Sequence, residues 1–293
     1  MPVQPGPIRL VLCSLLFLLL VVVPALPALA GDGVLEINQT CAVETGCFAG
    51  DVPGFPVTID GTSGHSYRLT SDLVVPNENT DGIVADSDDV GIDLAGFEIR
   101  GVVVCSGSPL VCTPGPGTGV GVRVPSVSLS GLSVRNGSIR GMGAYGVIAG
   151  IQGEVTHLRV RSNRVDGIFA GSGSTVLHNT AYANGLRGIS TVNGTTVFGN
   201  TTYLNGTGGI STGTGSAISG NTAFENGGDG IFSGVGSTIT GNTVRSNKGF
   251  GLNLGVQCGY RENVITNNTA GTVSGTGLVN LGNNACNGSA TCP

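Results

Sequence analysis

The sequence predicts an all-β fold, a parallel solenoid whose coils take about 21 residues and carry three short strands each. Three observations predict it. Residues 147–251 divide into successive 21-residue units that begin at Val147, Ile168, Ile189, Ile210 and Ile231, with a partial sixth at Leu252. Each unit repeats apolar or small residues at its first, ninth and fourteenth slots, as in Ile168, Val176 and Ala181 or Ile231, Ile239 and Val244. Asparagine recurs at the twelfth slot (Asn179, Asn200, Asn221, Asn242, Asn263) and at the seventeenth (Asn163, Asn184, Asn205, Asn226, Asn247, Asn268).

A repeat this short buries its apolar slots only by stacking on its neighbours. Three inward anchors per unit imply three short sides, and the Ser, Thr, Gly and Asn between them suit strands and tight corners better than helices. No helical stripe competes. Stacked coils of this kind lie about 4.8 Å apart and hydrogen-bond along the axis. The repeated Gly and Asn are expected to supply left-handed backbone at the corners, and stacked Asn side chains to bond from coil to coil. The repeats resemble those of the right-handed parallel β-helix, or pectin-lyase-like, proteins, in Gly199-Asn200-Thr201 with Asn205 and Gly209-Ile210, and again in Gly220-Asn221-Thr222 with Asn226 and Gly230-Ile231. That resemblance implies a right-handed solenoid and is specific for fold far more than for function.

From the first residue, the chain reads as follows. Residues 1–30 form an expected signal peptide: Arg9 is its only charge, residues 10–23 are an apolar run too short to span a bilayer comfortably, and Ala28-Leu29-Ala30 offers the cleavage site. Residues 31–80 lack the period and are expected to cap the first coil, because an uncovered coil is a free sheet edge. The β-helix is expected over 81–272, with an insertion at 101–119 marked by two cysteines and Pro109, Pro114 and Pro116; residues 273–293 close the far end.

Without the signal peptide, twelve basic residues face eighteen acidic ones, a net charge of −6 that argues against nucleic acid as a partner. No later stretch is a membrane span, so a secreted or periplasmic protein is expected. Seven cysteines then remain. Cys41 with Cys47, Cys105 with Cys112 and Cys286 with Cys292 would close small loops and leave Cys258 over; joining Cys258 to Cys286 or Cys292 is the alternative.

Three kinds of site are candidates. The acid-rich stretch Asp86, Asp88, Asp89 and Asp93 is the best place for catalysis or for calcium, the one cofactor the chain suggests, although aspartates are ordinary turn residues. Asp166 and Asp229 stand three coils apart, too far for a glycosidase pair, and a surface ion pair suffices for Asp166 with Arg187. His65, His157 and His178 are scattered without metal-ligand spacing. The fifteenth slot stands out: Arg140, Arg161, Tyr182, Tyr203, Phe224 and Arg245. Strand alternation turns these outward, as an aromatic strip with cations at both ends. Ring faces stack on sugars and guanidinium forks grip carboxylates, so an anionic polysaccharide or cell-surface glycan is the expected ligand.

An exported, non-catalytic glycan-binding β-helix is the reading these residues favour. The alternatives are a polysaccharide lyase, glycoside hydrolase or uronate epimerase, which the resemblance implies, and an accessory or structural periplasmic protein.

Overall fold

The computed structural model describes residues 1–2, 33–61, 65–290 and 292. The expected signal peptide and its cleavage after Ala30 lie, but for Met1 and Pro2, outside the described residues. A ten-stranded parallel sheet runs along one side of the solenoid, from Val57–Ile59 through Ile83–Ala85, Val122–Arg123 and Val147–Ala149 to Gly271–Ser274. A nineteen-stranded sheet supplies the other two sides.

The sheet register makes 21 residues one turn. Val147 pairs with Ile168, Ile168 with Ile189, Ile189 with Ile210, and Ile210 with Ile231. The ninth slot pairs Val155, Val176, Val197, Ile218 and Ile239 in succession, and the fourteenth pairs Val160, Ala181, Thr202, Ala223 and Val244. All of these side chains are buried. Each buried Val or Ile contributes about 1.5–3 kcal/mol, and that periodic burial is what closes the chain into a coil. Thr202 is the polar exception: its hydroxyl is buried without a hydrogen-bond partner among the described residues.

Two amide ladders tie the corners. Asn179 Nδ2 donates to Asn200 Oδ1 at 3.0 Å and to Val155 O at 2.9 Å, while Asn200 Oδ1 also accepts the Asn179 N–H at 2.8 Å. The pattern repeats through Asn221, Asn242 and Asn263 to Asn284, and a second ladder runs from Asn163 to Asn268. The ladder asparagines are not the left-handed residues, which corrects the sequence expectation. Positive φ falls one residue earlier, at His178, Gly199 and Gly220 for one corner and at Ala183, Leu204 and Glu225 for the other. The preceding residue turns the chain, and the asparagine is thereby aimed inward at its neighbours.

The boundaries differ from the expected ones at both ends. Leu35–Ile37 and the π-helical turn Cys41–Thr45 precede the first full coil, but Val57–Ile59, Ser66–Leu69 and Leu73–Val74 already pair in register with the coil above. Coils of unequal length hide the period there. At the far end Gly271–Ser274, Val279–Asn280 and Ala285–Cys286 form one more coil instead of a mere closure.

Disulfides join Cys41 to Cys47, Cys105 to Cys112 and Cys286 to Cys292, and Cys258 is a buried free thiol. The insertion is an antiparallel hairpin, Val104–Ser106 with Val111–Thr113, cross-linked by its own cysteine pair. Among the described residues, no helix is long and apolar enough to cross a membrane.

Candidate functional site

The fifteenth-slot residues form one column, because the strands that carry them pair in register from Arg140 through Arg161, Tyr182, Tyr203 and Phe224 to Arg245. Tyr182 and Tyr203 stack with centroids 4.8 Å apart and planes 2° from parallel; Tyr203 and Phe224 do so at 4.9 Å and 5°. The Arg245 guanidinium carbon lies 4.7 Å from the Phe224 centroid. At the lower end, Glu98 Oε1 accepts from Arg140 Nε at 2.8 Å and lies 3.9 Å from Arg161 Nη2.

This geometry changes what the strip offers a ligand. Both faces of Tyr203 are covered by its neighbours, and those of Phe224 by Tyr203 and Arg245, so these two rings cannot lie flat beneath a sugar as the sequence suggested. They are half-buried and turn edges outward. An aromatic edge carries positive partial charge. Burial and the neighbouring Tyr182 push the Tyr203 phenol above its ordinary range, while Arg159 and Arg161 pull against them. The column therefore presents ring edges, phenol hydroxyls and guanidinium groups, all of which favour an anion.

The hairpin sits on the corner just beyond this column. Arg164 Nη1 donates to Cys112 O at 2.8 Å and to Pro114 O at 3.2 Å. A recess of about 380 Å³ separates the hairpin loop from Ala183, Leu204, Glu225 and Lys248.

On the ten-stranded side, the corner column reads Tyr145, Asp166, Arg187, Gly208, Asp229, Phe250. Asp166 is buried, its Oδ1 accepts the Arg187 N–H at 2.8 Å, and its Oδ2 stands 4.0 Å from Arg187 Nη1. It is thus more than half of a surface ion pair. Burial drives its carboxyl above the ordinary range against the pull of the Arg187 N–H and guanidinium and of Ser190. Burial and the charge of Asp166 likewise raise the nearby Tyr145 phenol. Asp229, three coils on, instead holds Phe250 N–H at 2.7 Å and Asn253 Nδ2 at 2.8 Å. The exceptional burial of Asp166 has no signature in its sequence neighbours.

The aspartate stretch is dispersed over separate turn duties. Asp86 and Asp89 are exposed; Asp88 Oδ1 accepts from Ser130 N at 2.7 Å and from Ser130 Oγ at 3.0 Å. Burial raises the Asp93 carboxyl, but the Ala95 N–H, Asn136 and Arg135 together hold it below its ordinary range. Among the described residues, no three His, Cys, Asp or Glu side chains gather as a metal site would require.

Two of the three histidines, in contrast, come together. His157 and His178 occupy the same slot of successive coils, and their ring centroids are 5.3 Å apart. The shared slot was legible in the 21-residue spacing.

Residues 120–270 match the family described as a right handed beta helix region. Among solved structures, pectate lyase Pel9A is similar over 89% of this chain and 71% of its own, at 15% identity and a TM-score of 0.60. The Dettilon tailspike protein (gp208) is similar over 84% of this chain and 50% of its own, at 16% identity and a TM-score of 0.55. The periplasmic alginate epimerase AlgG follows over 85% and 67%, at 17% identity and a TM-score of 0.44. Such identities speak to the fold alone. No curated protein sequence matches the chain.

Proposed function

The chain belongs to the right-handed β-helix family, and from that premise we propose an exported solenoid protein that binds anionic glycans along its fifteenth-slot column without altering them covalently. Export is supported by the apolar run at residues 10–23 and by three disulfides, which persist in oxidising compartments. The observation that carries the ligand class is the edge-on ring stack with guanidinium groups at both ends. Tyr182 and Tyr203 offer hydroxyls one coil apart, and Arg161 and Arg245 offer charge for carboxylates.

Affinity electrophoresis in gels containing polygalacturonate or alginate tests this. Wild-type protein is retarded, Arg161→Ala runs faster, and Tyr203→Phe, which keeps the ladder and loses one hydroxyl, falls between them. Equal mobility of all three removes the reading.

One observation favours a second reading, a polysaccharide lyase or uronate epimerase on the ten-stranded face. A buried carboxyl held toward its neutral form, beside a guanidinium and a tyrosine, is suited to moving a proton near a sugar carboxylate. Unsaturated or epimerised products that disappear in Asp166→Asn would favour it over simple binding; no product from any uronate polymer would leave binding alone.

A further inference from the structure

The stacked histidines border a recess of about 390 Å³ whose lining includes Gly137, Ser138, His157, Arg159, His178 and Thr180. It lies at the end of the first amide ladder. Asn179 occupies the twelfth slot in its own coil, but Leu158 stands there in the coil below and Gly137 in the one below that. No carboxylate lines the recess.

The acids on the adjoining strands already accept hydrogen bonds from their neighbours. Asp93 accepts from Ala95 N, Arg135 and Asn136; Glu98 accepts from Arg140 and, at 3.4 Å, from the Ser138 hydroxyl. Arg159 pairs with no carboxylate among the described residues. Thr156 Oγ1 meets His157 Nδ1 at 2.7 Å, which fixes that ring and leaves Nε2 for another partner. Phe198 meets the His178 ring edge-on at 5.2 Å and steadies it in turn.

We propose that this recess binds a tetrahedral oxyanion, the sulfate or phosphate ester of a glycan or other polymer, gripped by the Arg159 fork, the two imidazoles and the Thr180 hydroxyl. A guanidinium and several N–H and O–H donors around a concavity free of carboxylates form the donor set that an ester of this kind takes. Arg159 and Arg161 flank Val160 on one strand, so a polymer lying along the column would bring its esters to the recess. The inference rests on the glycan reading for the source of the ester, not for the oxyanion site itself.

The test is a titration of the full chain with inorganic sulfate, and separately with inorganic phosphate, followed through the imidazole NMR signals. The protein has three histidines, and His65 lies away from the recess lining, as an internal control. The His157 and His178 signals are expected to move and saturate while His65 stays. Arg159→Gln, an exposed substitution, weakens the effect by roughly tenfold or more. Equal movement of all three histidines, or an unchanged titration in Arg159→Gln, overturns the site and leaves the two rings as packing only.

Competition then identifies the source. Dextran sulfate displacing the inorganic ion assigns a sulfate ester, and phosphorylated dextran doing so assigns a phosphate one. If neither displaces it, the polymer part of the proposal is wrong. Polyuronate retardation in the gel depends on Arg161 and Tyr203 and is read independently of the imidazole signals, so failure of the glycan reading and failure of the recess are distinguishable.

Discussion

The coils above Ile168 and those between Ile83 and Arg164 share the same inner columns but present different outer surfaces. Above, the slots are more uniform: asparagine at the twelfth and seventeenth, threonine at the thirteenth (Thr180, Thr201, Thr222, Thr243), and at the fifteenth three aromatic rings (Tyr182, Tyr203, Phe224) before Arg245. Below, the corresponding slots hold Gly137 and Leu158, Ser138 and Arg159, Arg140 and Arg161, and ion pairs link Arg123 to Asp81, Arg135 to Asp93 and Arg140 to Glu98. The inner frame needs only parallel backbone pairing and apolar anchors. Outer positions are free to vary, and the recess lies with Arg140, Arg159 and Arg161 where the repeat is interrupted.

The sharpest way to break this comparison is in the upper coils. Asn200→Ala strips the acceptor from Asn179 N and Nδ2 and the donor from Val176 O, all buried. Stability measured by urea unfolding is expected to fall by about 3 kcal/mol or more, since each orphaned buried group costs about 1–3 kcal/mol. A loss under about 1 kcal/mol would make the ladder incidental to the frame.

Tyr203→Ala interrupts two ring contacts and is expected to cost about 1–3 kcal/mol, whereas Tyr203→Phe stays within about 0.5 kcal/mol. Equal effects would mean that the hydroxyl, not the stack, holds the column. Thr202→Val replaces a buried hydroxyl that has no partner among the described residues by a methyl at a slot where Val160 and Val244 already fit. A gain of about 1 kcal/mol is expected in the same unfolding experiment.

The smallest effects lie in pH dependence, and they have opposite signs at two aspartates. The Asp166 carboxyl is raised, so its ionisation costs the folded state stability: the penalty is absent below the ordinary aspartate range and complete above the raised value. Asp166→Asn is therefore more stable than wild type at neutral pH, with the difference vanishing in acid. The Asp93 carboxyl is lowered, so its contribution is present above the ordinary range and lost as pH falls through the lowered value. Asp93→Asn is accordingly less stable at neutral pH and equal to wild type in strong acid. Thermal melts across pH check both.

Legibility along the chain followed regularity. The coils from Val147 onward were readable because every turn has the same length, which makes equal slots neighbours in space. The coil beginning at Val57 was not, because unequal turns break that correspondence although the backbone pairs just as regularly. Within the candidate sites, the column from Arg140 to Arg245 followed from strand alternation, and the stacking of His157 on His178 followed from the same spacing without being drawn from it. The burial of Asp166 had no such route, since its neighbours in sequence do not bury it; the adjoining coils do.

The sequence alone determined that 21 residues make one turn, that three apolar columns face inward and that asparagines stand above one another, because a fixed period converts separation along the chain into adjacency in space. Only the tertiary structure decided that the aromatic rings face one another and turn their edges outward, that Asp166 is withdrawn from water, and that Arg159 stands beside two imidazoles with its neighbouring acids already engaged. Those outcomes depend on the side chains of the coils above and below, whose orientation a repeat length does not specify.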